Sequence, residues 1–243
     1  MRARWGVAYA LALCALALYG VTAHSGSIEL SPVRIDLSAT ARVGVVMVRN
    51  AGNQNSVMQV TLNRWTWVQN DNHTERSQDL IVTPTTFALE PGEQQLVRVG
   101  LYSAVPQDTE ATYRLVIEEV PSPDPALANQ TQLLVRHDMP VFVAPAAAAA
   151  PIVMVVFDCL AEGTSMRIAN QGNMHVKVLN ITLQDTRSQA VLKTWAAMEY
   201  LLPHAEKRWN LSGISGMAPR GNYRINTLSD HGNYTADVQN QCP

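Results

Sequence analysis

Apolar and polar residues alternate one by one, in short stretches, through most of this chain. Such stretches cover residues 28–37, 43–48, 57–68, 95–101, 113–120 and 131–143, and Asn, Gly and Pro separate them. No segment keeps a 3.6-residue period beyond a turn or two. Because a period of two puts alternate side chains on one face of a strand, the pattern predicts an all-β chain built as an antiparallel sandwich, with almost no helix.

The beginning of the chain has the pattern of a secretory signal. Arg2 and Arg4 precede an almost wholly apolar stretch over residues 7–21, and Val21-Thr22-Ala23 offers small residues to a signal peptidase. We therefore predict a signal peptide over residues 1–23, cleaved after Ala23, and a secreted protein. An uncleaved membrane anchor is the alternative, although the apolar stretch is short for a bilayer, which needs about 20 residues.

A small-residue connector divides the remaining chain. Pro145 and Pro151 enclose five consecutive alanines, and prolines cannot join a sheet ladder. We place a first domain at residues 24–146 and a second at 147–243, where strand patterns resume at 152–157, 165–169, 175–184 and 220–227. The segments 48–53 and 168–173 both run into an Asn-x-Gly-Asn turn, in agreement with two similar sandwiches in tandem.

Two cysteines, Cys159 and Cys242, lie in the predicted second domain. In an oxidising compartment an even pair predicts one disulfide, and two free thiols are the alternative. Metal binding by these thiols is disfavoured because the chain has no CxxC spacing. The formal net charge of −2 gives no electrostatic basis for binding nucleic acid.

The chain shows no motif of a known catalytic site. It has no Gly-x-Ser-x-Gly, no His-Glu-x-x-His and no phosphate-binding glycine loop, and its six histidines show no metal-ligand spacing. We therefore expect no enzyme activity, no cofactor and no metal. One hypothesis of a copper protein remains, because cleavage after Ala23 would make His24 the N-terminus, where its amine and ring could chelate copper with a second histidine from the fold.

Three stretches of the first domain carry a family resemblance. Residues 81–99 hold an apolar run, a Pro break, a second run, a Glu-Pro-Gly turn and an alternating strand. Residues 105–115 and 141–145 follow in order. This series resembles the N-terminal domain of periplasmic pilus chaperones, the PapD-like family, although Thr109 stands where that family usually has a basic residue.

The resemblance implies two tandem immunoglobulin-like sandwiches and a function without catalysis. Such a chaperone in the periplasm binds pilus or fimbrial subunits by lending them an edge strand, then delivers them to an outer-membrane usher. The implied donor residues are Thr131, Leu133 and Val135, and the alternative is that they are ordinary core residues of a final strand. The free protein could also pair with itself through that edge. A secreted β-sandwich adhesin or pilus component is the alternative function.

The family also implies two cations that hold the carboxylate terminus of the subunit. Arg34 occupies the place of the first, and a planar guanidinium binds a carboxylate through two charge-assisted hydrogen bonds. Pro140 stands where the family has its Lys, so Arg136 or His137 must substitute. Arg136 is preferred because its charge does not depend on pH. This departure suggests a divergent branch that serves spore-coat-like or archaic pili.

Two acidic residues match family positions between the domains. Glu110 and Asp230 correspond to members of an interdomain salt-bridge network, while Ala144 stands where the linking Arg would lie. We interpret both acids as structural.

Overall fold

A computed structural model describes residues 28–68, 71–121, 133–161 and 163–242, and within these ranges every regular element is a strand. The described segments contain no helix with the length and apolar character needed to span a bilayer. The predicted signal peptide, His24 and Thr131 lie outside the described residues. The strands are β1 (Ile28–Ser31), β2 (Ile35–Leu37), β3 (Val43–Asn50), β4 (Ser56–Val68), β5 (Asp71–Arg76), β6 (Ile81–Thr83), β7 (Thr86–Leu89), β8 (Gln94–Gly100), β9 (Ala111–Val120), β10 (Arg136–Val143), β11 (Val153–Leu160), β12 (Gly163–Asn170), β13 (Val176–Asp185), β14 (Val191–Leu201), β15 (Glu206–Asn210), β16 (Asn222–Ser229) and β17 (Gly232–Gln239).

Strands β1 to β10 form a first sandwich of two sheets. One sheet has the order β1-β3-β8-β6, and the other has the order β2-β10-β9-β4-β5 with β7 also paired to β4. Alternate side chains from both sheets meet in one core, where Val46, Val97, Leu115 and Val141 are fully buried. The pairing is antiparallel except between β2 and β10, which run parallel. The prediction of an all-β antiparallel sandwich is therefore confirmed here.

Strands β11 to β17 form a second, smaller sandwich. Its sheets have the orders β11-β12-β15 and β14-β13-β16-β17, and they enclose a core that includes Met166, Ile181 and Tyr223. A disulfide joins Cys159 of β11 to Cys242, which follows β17. Because β10 ends at Val143 and β11 begins at Val153, the proline-bracketed connector lies between the two sandwiches. The boundary at residue 146 itself stays a prediction.

A buried asparagine ends the equivalent strand of each sandwich in the same way. The side-chain oxygens of Asn50 and Asn170 accept the N–H two residues ahead, at 2.9 and 3.0 Å. Their amide groups donate to the carbonyl four residues ahead, both at 2.7 Å, and to Leu89 and Leu201 respectively, both at 3.1 Å. The sequence echo thus corresponds to one turn used twice, in which the asparagine satisfies backbone groups that would otherwise be buried without partners.

Strand β10 has one covered and one open side. Its inner side pairs with β9 along its whole length, whereas β2 covers its outer side only at residues 141–143. Ala144 N–H donates outward to Leu37 at 2.9 Å, while the carbonyl of Val135 accepts inward from Glu119 at 2.8 Å. Since successive residues direct their backbone groups to opposite sides, even-numbered residues of β10 face the outer side. Among the described residues, no strand pairs there with residues 136–140.

Candidate functional site

The open side of β10 begins next to an exposed apolar segment. The predicted donor residues Leu133 and Val135 lie directly before the strand, which starts at Arg136 and not at residue 131. Their side chains continue the odd-numbered face that packs into the first core: Val135 still contacts that core, whereas Leu133 is 79% exposed. The two residues therefore extend the core face of the sandwich beyond its last covered position.

A shallow groove runs beside this open edge. It is lined by Glu29, Leu30, Val33, His137, Asp138 and Met139. Val33 is largely exposed, and His137 Nε2 contacts the carbonyl of Ile28 at 2.9 Å. His137 thus links β10 to β1 beside the groove.

An aromatic cluster lies where the two sandwiches meet. We call it the cleft cluster, and it consists of Trp65, Phe142, Leu202 and Ala205, with Trp67 and Tyr200 packed on its side. Trp67 Nε1 donates to the carbonyl of Glu206 in the second sandwich at 3.1 Å. Trp67 thus links the two sandwiches by this hydrogen bond, and Trp65 packs edge-on against Tyr200 of the second sandwich at 5.9 Å between ring centroids.

Arg34 lies in this cleft and joins the two sandwiches. Its guanidinium donates to Asp36 at 2.9 Å and to Asp230 of the second sandwich at 3.0 Å. Partial burial lowers the pKa of Arg34, but Asp36, Asp230 and a hydrogen bond with Tyr200 outweigh this effect and raise its pKa above the ordinary value. The predicted carboxylate-binding residue and the predicted interdomain acid Asp230 are therefore direct partners.

Arg114 is a second cation of the cleft, which sequence reasoning missed. It lies opposite Pro140 in the β9–β10 ladder, and its guanidinium stacks 3.6 Å above the ring of Trp65. Burial lowers the pKa of Arg114, and Asp138 at 3.7 Å partly offsets this. An arginine nevertheless stays protonated in proteins. Arg114 therefore supplies a positive charge on the face of the sheet where Pro140 supplies none.

Arg136, the predicted substitute, lies farther along β10. It is 59% exposed and forms an ion pair with Glu118 at 3.0 Å. Four residues of strand separate it from Pro140, which corresponds to about 13 Å. Its role at the subunit carboxylate stays a prediction, and no contact links it to the cleft cluster among the described residues.

Glu110 meets the second sandwich through His175. The carboxylate accepts from His175 N–H at 2.8 Å, and His175 Nδ1 lies 3.0 and 2.9 Å from its two oxygens. The His175 ring stacks on Phe142 at 3.5 Å between centroids. Glu110 and Asp230 thus each contact a residue of the other sandwich. In the sequence, the only feature near His175 is the Asn-x-Gly-Asn turn that ends two residues before it.

Comparison with known proteins finds a matching family and two relatives, each aligned over about half of the chain. Residues 27–149 match the family described as pili and flagellar-assembly chaperones, PapD N-terminal domain. The chaperone protein LpfB of Salmonella typhimurium is 25% identical over 134 residues, 54% of this chain and 55% of LpfB. The chaperone protein PmfD of Proteus mirabilis is 27% identical over 135 residues, 54% of this chain and 51% of PmfD. The aligned region thus spans about half the length of each relative.

A solved structure matches both sandwiches. It is the CsuC–CsuE chaperone–tip adhesion subunit pre-assembly complex from archaic chaperone-usher Csu pili of Acinetobacter baumannii. The TM-score is 0.65 at 16% identity, with 87% of this chain and 98% of the matched chain covered. At this identity the likeness concerns the fold alone, and it confirms two tandem immunoglobulin-like β-sandwiches.

Proposed function

This chain belongs to the family of pili and flagellar-assembly chaperones through its PapD N-terminal domain, and on that premise we propose that it chaperones pilus subunits in the periplasm. It would bind each subunit by donating an edge strand and pass it to an outer-membrane usher. No catalytic step is required, because formation of backbone hydrogen bonds and burial of apolar surface drive the capture.

The open side of β10 carries this proposal. A strand edge with unpaired backbone groups binds any extended partner, and here it continues into the exposed side chain of Leu133. A subunit that lacks a strand would pair with this edge and cover Leu133 and Val135 in its own groove. Each apolar side chain so buried would contribute roughly 1.5–3 kcal/mol.

The cleft cations would hold the carboxylate terminus of the subunit. Arg34 and Arg114 both interact with Tyr200, which packs against the cleft cluster. We propose Arg114, rather than Arg136, as the partner of Arg34. A carboxylate held by two arginines fixes the position of the subunit along β10, because its last residue must end at the cleft.

The alternative functions have less support. An adhesin or pilus component would not be expected to match the chaperone domain over residues 27–149. The copper hypothesis depends on His24, which lies outside the described residues. Neither is favoured by an observation in the described part of the molecule.

Co-expression in a bacterial periplasm with pilin-like subunits encoded nearby, followed by pull-down and mass spectrometry, would test the proposal. The wild type is expected to form a stoichiometric complex, and Leu133→Glu is expected to abolish it, because a charge would enter the apolar groove of the subunit. Leu134→Glu is the matched control, since Leu134 lies one residue away and faces the opposite side. Capture that survives Leu133→Glu would place the donor strand elsewhere, and a wild type that binds no subunit would contradict the function.

A further inference from the structure

His175 has one ring nitrogen fixed and the other unused. Its side chain is only 4% exposed, and Nδ1 lies within hydrogen-bond distance of both Glu110 oxygens. Because a carboxylate accepts hydrogen bonds, Nδ1 donates to Glu110, and Nε2 is the ring nitrogen left for another partner. Among the described residues, Nε2 has no hydrogen-bond partner. A buried nitrogen without a partner is rare in proteins, and a bound water or ion is a common explanation.

Two further donor groups face this nitrogen from the turn between β16 and β17. The carboxylate of Asp230 lies 4.0 Å from His175 Nε2 and 3.9 Å from His231 Nε2. One ligand atom from each of the three residues lies within 4.8 Å of the others. The side chains of Asp230 and His231 are 20% and 35% exposed, so the group is buried at His175 and reaches solvent at the turn.

We propose that His175, Asp230 and His231 form a binding site for a divalent transition metal, with zinc as the best fit. Two imidazoles and one carboxylate are common zinc ligands, and three protein ligands leave the fourth position to water. Nitrogen donors disfavour calcium and magnesium, which take oxygen ligands. All three of its ligands belong to the second sandwich, and one of them, Asp230, is also the partner of Arg34.

Glu110 supplies the support that such a site requires. A metal-binding histidine almost always donates its other ring N–H to a carboxylate or carbonyl, which fixes the tautomer and the ring plane. Here the supporting carboxylate comes from the first sandwich, so a bound zinc would be linked to both domains. Stacking on Phe142 further restricts rotation of the His175 ring.

The ligand atoms must move closer together to hold a metal ion. Zinc bonds of about 2.0–2.2 Å in a tetrahedral site put ligand atoms roughly 3.3 Å apart. His175 Nε2 lies 4.0 Å from Oδ2 of Asp230, His231 Nε2 lies 3.9 Å from Oδ1, and the three ligand atoms lie within 4.8 Å of one another. Rotation of the His231 side chain can shorten the distance from its Nε2 to Asp230, because His231 lies on an exposed turn. Asp230 also accepts from Arg34 at 3.0 Å and from Lys177 N–H at 2.8 Å, which orient its carboxylate. The negative charges of Asp36 and Glu110 offset the nearby charge of Arg34.

Calorimetric titration of tag-free, chelator-treated mature protein with zinc chloride tests the site. We expect one zinc per chain, and a visible absorption spectrum typical of tetrahedral coordination when cobalt(II) replaces it. His231→Ala should weaken zinc binding by about 100-fold or more. Glu110→Gln should weaken it by about 10- to 100-fold, as for other supporting carboxylates. His73→Ala and His24→Ala should bind zinc like the wild type, since neither residue belongs to the site.

Circular dichroism of each variant would confirm that it remains folded. A wild type that takes up no zinc and gives no cobalt spectrum would overturn the proposal and leave His175 as a purely structural partner of Glu110. Zinc binding that survives His231→Ala but is lost in His24→Ala would place the metal at the N-terminus instead.

Discussion

Arg114 of β9 lies directly opposite Pro140 of β10, and its guanidinium stacks on Trp65 in the cleft between the two sandwiches. Residues that face each other in an antiparallel ladder share one side of the sheet. A cation can therefore reach the same region of the cleft from the neighbouring strand. Arg114 of β9 thus places a positive charge next to Pro140, where β10 itself has none.

Arg114→Ala should weaken subunit capture by about tenfold or more, because a charge-assisted hydrogen bond contributes roughly 1.5–3 kcal/mol. Arg136→Ala is the matched control, being an arginine of the same sheet whose ion pair with Glu118 lies at the surface. Both variants would be compared for the affinity of purified chaperone for a subunit. If only Arg136→Ala lost capture, Arg136 and not Arg114 would be the residue that binds the subunit carboxylate.

Arg34→Ala should also weaken capture by about tenfold or more, while the protein stays folded. The partly exposed ion pairs of Arg34 contribute at most about 1 kcal/mol to stability, so unfolding in urea should change little. Arg49→Ala, which removes a surface ion pair with Glu29, is the control. A normal yield of subunit complex from Arg34→Ala would exclude Arg34 from the site.

The stability of the second sandwich should depend on pH through Asp158. Arg167 binds this carboxylate at 2.8 and 3.2 Å, and its hydrogen bonds lower the pKa of Asp158 below the ordinary value. A lowered folded-state pKa means that the stabilisation is present above about pH 4 and is lost as the pH falls through the folded-state pKa.

Asp158→Asn should therefore cost at most about 1 kcal/mol at pH 7, since the pair is partly exposed, and should flatten the acid limb of a urea-unfolding series. Asp237→Asn, in the more exposed pair with Arg224, should change the acid limb less. An unchanged acid limb in Asp158→Asn would show that other carboxylates govern acid unfolding.

Removal of the disulfide should destabilise the second sandwich strongly. Cys159 and Cys242 are 83 residues apart, and a cross-link over such a loop restricts the unfolded chain. The double variant with alanine at both positions should lose about 2–5 kcal/mol in urea unfolding, with a similar loss when the wild type is reduced. Equal stability of the reduced and oxidised proteins would contradict this expectation.

The sequence predicted most of the strands whose inward residues are apolar and missed several strands at sheet edges, among them β5, β14 and β17. Strand β17 alternates between exposed and partly buried positions, but Asn, Thr, Asp and Gln fill much of it, so its pairing with β16 decides its conformation. Strand β10 begins later than predicted, since the apolar alternation of residues 131–135 extends beyond its ladder with β9. Hydrophobic periodicity in a sequence reflects which residues are buried, and edge strands bury few residues.

The site was predictable only where a residue had a fixed place in a motif. Family positions pointed to Arg34, Glu110 and Asp230, whose roles stay predictions, whereas Arg114 and His175 reach the cleft only through neighbours on other strands. The sequence favoured Arg136 as the replacement cation because sequence order gives no information about which residue lies across a ladder, and here Arg114 lies opposite Pro140. His175 and His231 likewise meet only after β13 and the β16–β17 turn have packed together.

Pro140 has a consequence for any strand that adds to the open side of β10. Even-numbered residues direct their backbone groups outward, so Arg136 and Asp138 can both donate and accept hydrogen bonds there, but Pro140 has no N–H to donate. The next residue, Val141, is already aligned with β2. Hydrogen bonding to an added strand therefore ends at Pro140. This limit would fix how far a bound chain can extend along β10, independently of the cations in the cleft.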